Sequence, residues 1–144
     1  MIKKGNWKGL YKYNNKIHQE LKRVEGTKFE IDITEINDDH FTGTVQDDLA
    51  TGGTEGIGEI TGHVIGNEVH FVKQMPIMTI LNPINGARKT YNKKHRKIYY
   101  TGTFSEDGKT ISGQWTFKAG FILAGLSLIF GLANKGTWTM ILTE

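Results

Sequence analysis

The chain has 144 residues and no cysteine, with 38% hydrophobic, 10% aromatic and 23% charged residues. This suffices for one core but not for two domains; it is too apolar for disorder, and without thiols it can form neither disulfides nor thiolate metal sites. The formal charge of +3 is uneven, because Arg88 to Lys97 (RKTYNKKHRK) is rich in Lys and Arg with no acid while the remainder is net acidic; this argues against a general affinity for polyanions.

The start, MIKKGNWKGL, has two lysines but no apolar stretch of secretory type, so the expected location is the cytoplasm. Apolar and polar residues then alternate with the period of half-buried strands. Trp7-x-Gly9-x-Tyr11 opens the series. Asn15 to Val24 places Ile17, Leu21 and Val24 on a helical stripe, predicting a short helix or an irregular connection. Phe29-x-Ile31-x-Ile33 follows with Glu30 and Asp32 outward, and then Phe41-x-Gly43-x-Val45 and Ile60-x-Gly62-x-Val64.

His63 to His70 predicts a hairpin closed by Gly66-Asn67, pairing Ile65 with Glu68, Val64 with Val69 and His63 with His70, with the valines inward and the histidines outward. Met75 to Pro83 is bracketed by both prolines and reads as a loop or edge segment. Tyr100-x-Gly102-x-Phe104 and Ile111-x-Gly113-x-Trp115 flank a turn at Ser105 to Gly108, and Trp138-x-Met140-x-Leu142 ends the series. The recurring apolar-Gly-apolar unit implies sharp coiling or space on an inner face, and both point to closure. The predicted fold is all-β, a single antiparallel up-and-down barrel of about eight strands, with a sandwich as the alternative.

Ala119 to Ala133 interrupts this pattern with no charge and one hydroxyl, Ser127. As a helix it aligns Gly120, Ala124, Ser127 and Gly131 in a stripe of small residues; as a strand it is apolar on both faces. Fifteen residues of helix reach about 22 Å, short of a roughly 30 Å hydrocarbon core. The segment is therefore an insertion at one barrel mouth, helical in one reading. Its roles there are a lid over a cavity, a self-association surface or a lipid-inserting tip, with Phe121, Leu123, Leu126, Leu128 and Phe130 as the contact candidates.

Gly5-Asn6-Trp7, Phe41-x-Gly43-x-Val45 followed by Asp47 and Asp48, Phe71-x-Lys73, Tyr100-x-Gly102 and Gly113-x-Trp115 together resemble the strand motifs of the calycins, the lipocalin, fatty-acid-binding and avidin barrels, and most closely those of small bacterial lipocalin-like proteins. The resemblance covers most of residues 1–144 as one lipocalin-like domain and implies an apolar ligand cavity. The residues expected to line or fill the interior are Trp7, Tyr11, Phe29, Phe41, Phe71, Tyr100, Phe104, Trp115, Trp138 and Met140.

Arg88, Lys89 and Arg96 are the candidates for holding an anionic group. Few aromatics interleave with these charges, so nucleic acid is not an expected partner. His63 and His70 alone fall short of a zinc site, adjacent aspartates on a strand point to opposite faces, and no nucleophile-elbow, phosphate-loop or zinc-protease motif occurs. No metal, cofactor or catalysis is expected; an enzyme would need a buried Asp, Glu or His facing the aromatics. The expected function is non-catalytic binding of a small hydrophobic or amphipathic ligand. The alternative is a filled barrel whose insertion meets a second copy of the chain or a membrane surface.

Overall fold

The computed structural model describes residues 1–14, 16, 25–81, 84, 87–124, 127–131 and 133–143. Among the described residues twelve strands follow one another: β1 (Gly5–Tyr13), β2 (Thr27–Asn37), β3 (His40–Asp47), β4 (Ile57–Ile65), β5 (Glu68–Gln74), β6 (Met78–Leu81), β7 (Arg88–Tyr91), β8 (Ile98–Phe104), β9 (Thr110–Phe117), β10 (Gly120–Ala124), β11 (Ser127–Gly131) and β12 (Asn134–Leu142). Eight close into an antiparallel barrel in the order β1-β12-β9-β8-β5-β4-β3-β2, while β6-β7 and β10-β11 form separate two-stranded ribbons. The predicted hairpin is present in its predicted register, with Ile65, Val64 and His63 opposite Glu68, Val69 and His70. The helical stripe Ile17, Leu21 and Val24 lies outside the described residues.

The period-2 residues fill the barrel. Trp7, Ile31, Phe41, Val45, Ile60, Val69, Ile111 and Met140 are each at most 1% exposed. Gly9, Gly62, Gly102 and Gly136 lie against aromatic side chains instead of leaving space, while Gly43 and Gly113 face a neighbouring backbone. A Cβ on Gly102 would stand 2.7 Å from Trp138 Cζ2, and one on Gly9 would enter the Phe29 ring. Gly102 lies directly opposite Gly113, so two strand backbones are bare on their inner side. The Trp138 indole N–H reaches through to the Thr101 and Gln114 carbonyls, both at 3.1 Å. Gly102→Ala is expected to lower stability by about 1–3 kcal/mol through overpacking, read as a reduced urea midpoint with unchanged slope.

The two barrel ends differ. At one, the connections β2-β3, β4-β5 and β8-β9 are short turns, Ile2 is buried, and Trp7 Nε1 donates to the Lys3 carbonyl at 3.0 Å. All the long connections leave from the other end: residues 14–26, 48–56, 75–97 and 118–133. That end is the mouth, and both ribbons stand there.

The apolar insertion is a β-ribbon, not a helix. Gly120 to Ala124 pairs residue by residue with Gly131 to Ser127, leaving two residues between the paired Ala124 and Ser127. Phe121, Ile122, Ile129 and Phe130 are aromatic or β-branched and favour strands, and a two-residue connection beginning with glycine suits a hairpin. The small-residue stripe is thus spread over two strands. Within Met75 to Pro83, read as a loop or edge segment, Met78 to Leu81 is a strand of a two-stranded ribbon, pairing with Arg88 to Tyr91. No helix among the described residues is long and apolar enough to cross a membrane.

Candidate site at the barrel mouth

Strand alternation makes the last inward layer polar. On β5 the series Val69, Phe71 ends at Lys73; on β3 the series Phe41, Val45 ends at Asp47, and all of these residues are buried. Lys73 Nζ donates to Asp47 Oδ1 at 2.5 Å, with the two side chains 3% and 2% exposed. The ammonium also stands 5.1 Å from the Tyr11 ring centre and 5.8 Å from that of Phe29, close enough for cation–π attraction in a site shielded from water.

The 48–54 turn secures the carboxylate. The Thr54 N–H donates to Asp47 Oδ2 at 3.3 Å, and Thr51 Oγ1 donates to Asp48 Oδ2 at 2.9 Å. Asp47 and Asp48 therefore divide their roles, one inside the barrel and one shaping the turn, as opposite strand faces require. Arg88 spans the opening by donating from Nη2 to the Gly53 carbonyl at 2.8 Å.

Above the pair lies a cavity of about 110 Å³, walled by Tyr11, Tyr13, Tyr100, Trp115 and Phe117 and edged by Arg88. Its aromatic wall is continuous: Tyr13 meets Trp115 edge-on at 4.9 Å, and Trp115 stacks on Phe117 at 5.8 Å. Desolvation by burial, aided by the nearby Asp47 charge, raises Tyr11 and Tyr100 well above the usual phenol range and pushes Tyr13 up to about 12. All three hydroxyls thus keep their protons at neutral pH. A larger cleft of about 850 Å³ beside Lys8, Lys28 and Leu49 is a groove open to solvent.

His95 also borders the cavity. Its Nδ1 lies 2.8 Å from the Arg96 carbonyl, and because a carbonyl only accepts, Nδ1 carries the proton. Burial lowers its pKa, with the Arg96 and Lys73 charges adding to that effect, so the ring is neutral at physiological pH. Below about pH 6.5 an unfolded histidine takes up a proton that folded His95 resists. Stability is therefore expected to fall as pH drops from 6.5 toward the depressed folded value, and His95→Gln should flatten that dependence. Urea midpoints at pH 7.5 and 5.5 for both proteins check this.

Of the predicted interior residues, Tyr11, Tyr100 and Trp115 line the cavity. Phe29 lies beneath the Lys73 ammonium. Trp7, Phe41, Phe71, Phe104, Trp138 and Met140 pack in the core. Arg88 reaches the site; Lys89 lies over the Tyr91 ring at 5.4 Å. Arg96 covers Phe117 at 4.5 Å and donates to the Lys118 carbonyl at 2.9 Å, which ties the basic segment to the root of the apolar ribbon. The backbone positions of Phe121, Leu123, Leu128 and Phe130 belong to that ribbon, and Leu126 lies outside the described residues.

Sequence reasoning missed Lys73 and Asp47 as site residues, although each simply continues an inward series. It also missed Tyr13, His95 and Phe117. Comparison of the chain with protein-family models, curated proteins and solved structures finds no match.

Proposed function

We propose that the barrel mouth binds a small amphipathic anion without catalysis, the anionic group facing Lys73 and Arg88 and the apolar part lying against the aromatic wall. The observation that carries this reading is the buried Lys73–Asp47 pair beneath the cavity. A buried ion pair is costly to desolvate and is often replaceable by apolar residues without loss of stability, so its position at the open end favours use over support. Lys73 and Arg88 against Asp47 leave one net positive charge for a monoanion to neutralise. Protonated tyrosines add donors. The resemblance to calycin barrels points the same way.

The cavity volume limits the bound group. An apolar cavity of about 150 Å³ holds benzene, whereas drug-sized ligands need about 300–1,000 Å³. At about 110 Å³ the site suits a short-chain carboxylate or the head of a longer one whose tail leaves through the mouth. Asp47 and His95 are buried beside the aromatics, the arrangement an enzyme would need; Asp47 is bonded to Lys73 and His95 to the Arg96 carbonyl, and the binding reading rests on the ion pair.

The test is calorimetric titration with hexanoate and with hexanol, following Trp115 fluorescence in parallel. Saturable binding of the acid and at least tenfold weaker binding of the alcohol is the expected result. Equal binding, or none to either, defeats the reading.

The alternative has its own observation: β10 and β11 face chiefly each other as a ribbon beside the mouth, in a segment without charge. This favours contact with a second copy or a membrane surface. Sedimentation at rising concentration, with and without anionic vesicles, separates that role from ligand binding.

A further inference from the structure

On the outer face of the barrel, at the end opposite the mouth, three histidines stand side by side on adjacent strands. His40 on β3 is opposite His63 on β4, and His63 is opposite His70 on β5. The ring centres are 5.9 Å apart for His40 and His63 and 5.3 Å apart for His63 and His70. The Val64 N–H donates to the Asp39 carbonyl at 2.8 Å, which brackets His40 and His63 as a non-hydrogen-bonded pair, the narrow type in which side chains come closest.

We propose that His40, His63 and His70 form a surface site for a late first-row divalent ion such as Zn²⁺. A metal–nitrogen bond of about 2.0–2.1 Å places an imidazole centre about 3.2 Å from the ion, so two rings at a tetrahedral angle stand about 5.2 Å apart. The two neighbouring separations are near this value; His40 and His70 flank the central strand, so their rings must lean toward His63 to complete the set. His40 Nδ1 lies 2.7 Å from Asp39 Oδ1. That carboxylate fixes the tautomer that presents Nε2 as the ligand atom, the outer-sphere arrangement common to metal-binding histidines. His70 Nε2 lies 3.4 Å from Glu68 Oε2, so two carboxylates flank the row and favour a cation.

As the side chains stand, no group of three or more His, Cys, Asp or Glu among the described residues is placed to hold a metal ion, and the His63 and His70 rings lie nearly parallel at 13°. Rotation about the side-chain torsions brings their nitrogens inward. The His40 and His70 side chains are 71% and 35% exposed, so solvent leaves room for it. The fourth position would go to water. The site is remote from the mouth and independent of what binds there.

The test is titration of the untagged protein with zinc chloride by calorimetry and by imidazole NMR, with magnesium as the oxygen-preferring control. The expected result is one zinc ion per chain at micromolar concentration and no response to magnesium. His63→Ala, the central residue, should weaken binding at least tenfold, and Asp39→Asn should weaken it about tenfold. All these side chains are on the outer face, so far-UV circular dichroism should be unchanged. Absence of saturable zinc binding below roughly millimolar concentration, or binding by His63→Ala within tenfold of the parent, overturns the proposal.

Discussion

Lys73→Met is expected to lower stability by about 3–5 kcal/mol, because it leaves the Asp47 carboxylate buried with its cationic partner gone. Asp47→Leu should cost a similar amount by stranding the ammonium at the same depth. The double variant Lys73→Met/Asp47→Leu is expected to recover most of the loss, since an apolar pair of similar volume meets the rings of Tyr11 and Phe29 without a desolvation penalty. A double-mutant cycle from urea unfolding measures this coupling directly. The same double variant also isolates function. It should fold like the parent and yet lose hexanoate binding, so that stability and recognition separate in one protein. If it folds and still binds the acid, the ion pair serves structure alone and the proposed role of Lys73 fails.

The barrel was legible because its signals are local. Gly66-Asn67 closes a two-residue hairpin whose register follows from loop length alone, and the period of two sent Phe29, Ile31 and Ile33 inward without knowledge of any neighbour. Lys73 and Asp47 obey the same rule and were overlooked because charge, read residue by residue, argues for the surface. Only the pairing across 26 positions makes their burial affordable. The histidine row was hidden for a different reason. His63 opposite His70 follows from a turn, but His40 opposite His63 depends on a register set across the 48–56 connection, and residue spacing does not encode it. The β2-β3 irregularity between Ile33 and Glu35 is equally silent in composition. At residues 119–133 the sequence fits both periodicities, since a run apolar on every side carries no contrast from which to read a period.

Trp138→Ala is expected to cost about 3–5 kcal/mol, a large part of the roughly 5–15 kcal/mol available to a domain of this kind. Its indole joins three strands. The ring covers Gly102 on β8, meets Phe71 on β5 at 5.4 Å and Tyr100 at 5.5 Å, and its N–H reaches the carbonyls of Thr101 and Gln114 on β8 and β9. A methyl in its place opens a void over two facing glycines, which carry no side chain to fill it. Trp138→Phe keeps most of the apolar area and loses the N–H, so its cost should be smaller, about 0.5–1.5 kcal/mol for the hydrogen bond plus the volume difference. The order Ala well below Phe, and Phe below the parent, in urea midpoint marks the glycine pair as a seat for this ring. Enlarging the seat instead, with Gly102→Ala in the Trp138→Phe background, should cost less than Gly102→Ala in the parent, because one of the two nearest atoms it would crowd, Cζ2 of the indole at 2.7 Å, is gone, while the Ser112 carbonyl oxygen at 2.8 Å remains. Equal costs in the two backgrounds would show that the strand backbones, and not the indole, require glycine at this position.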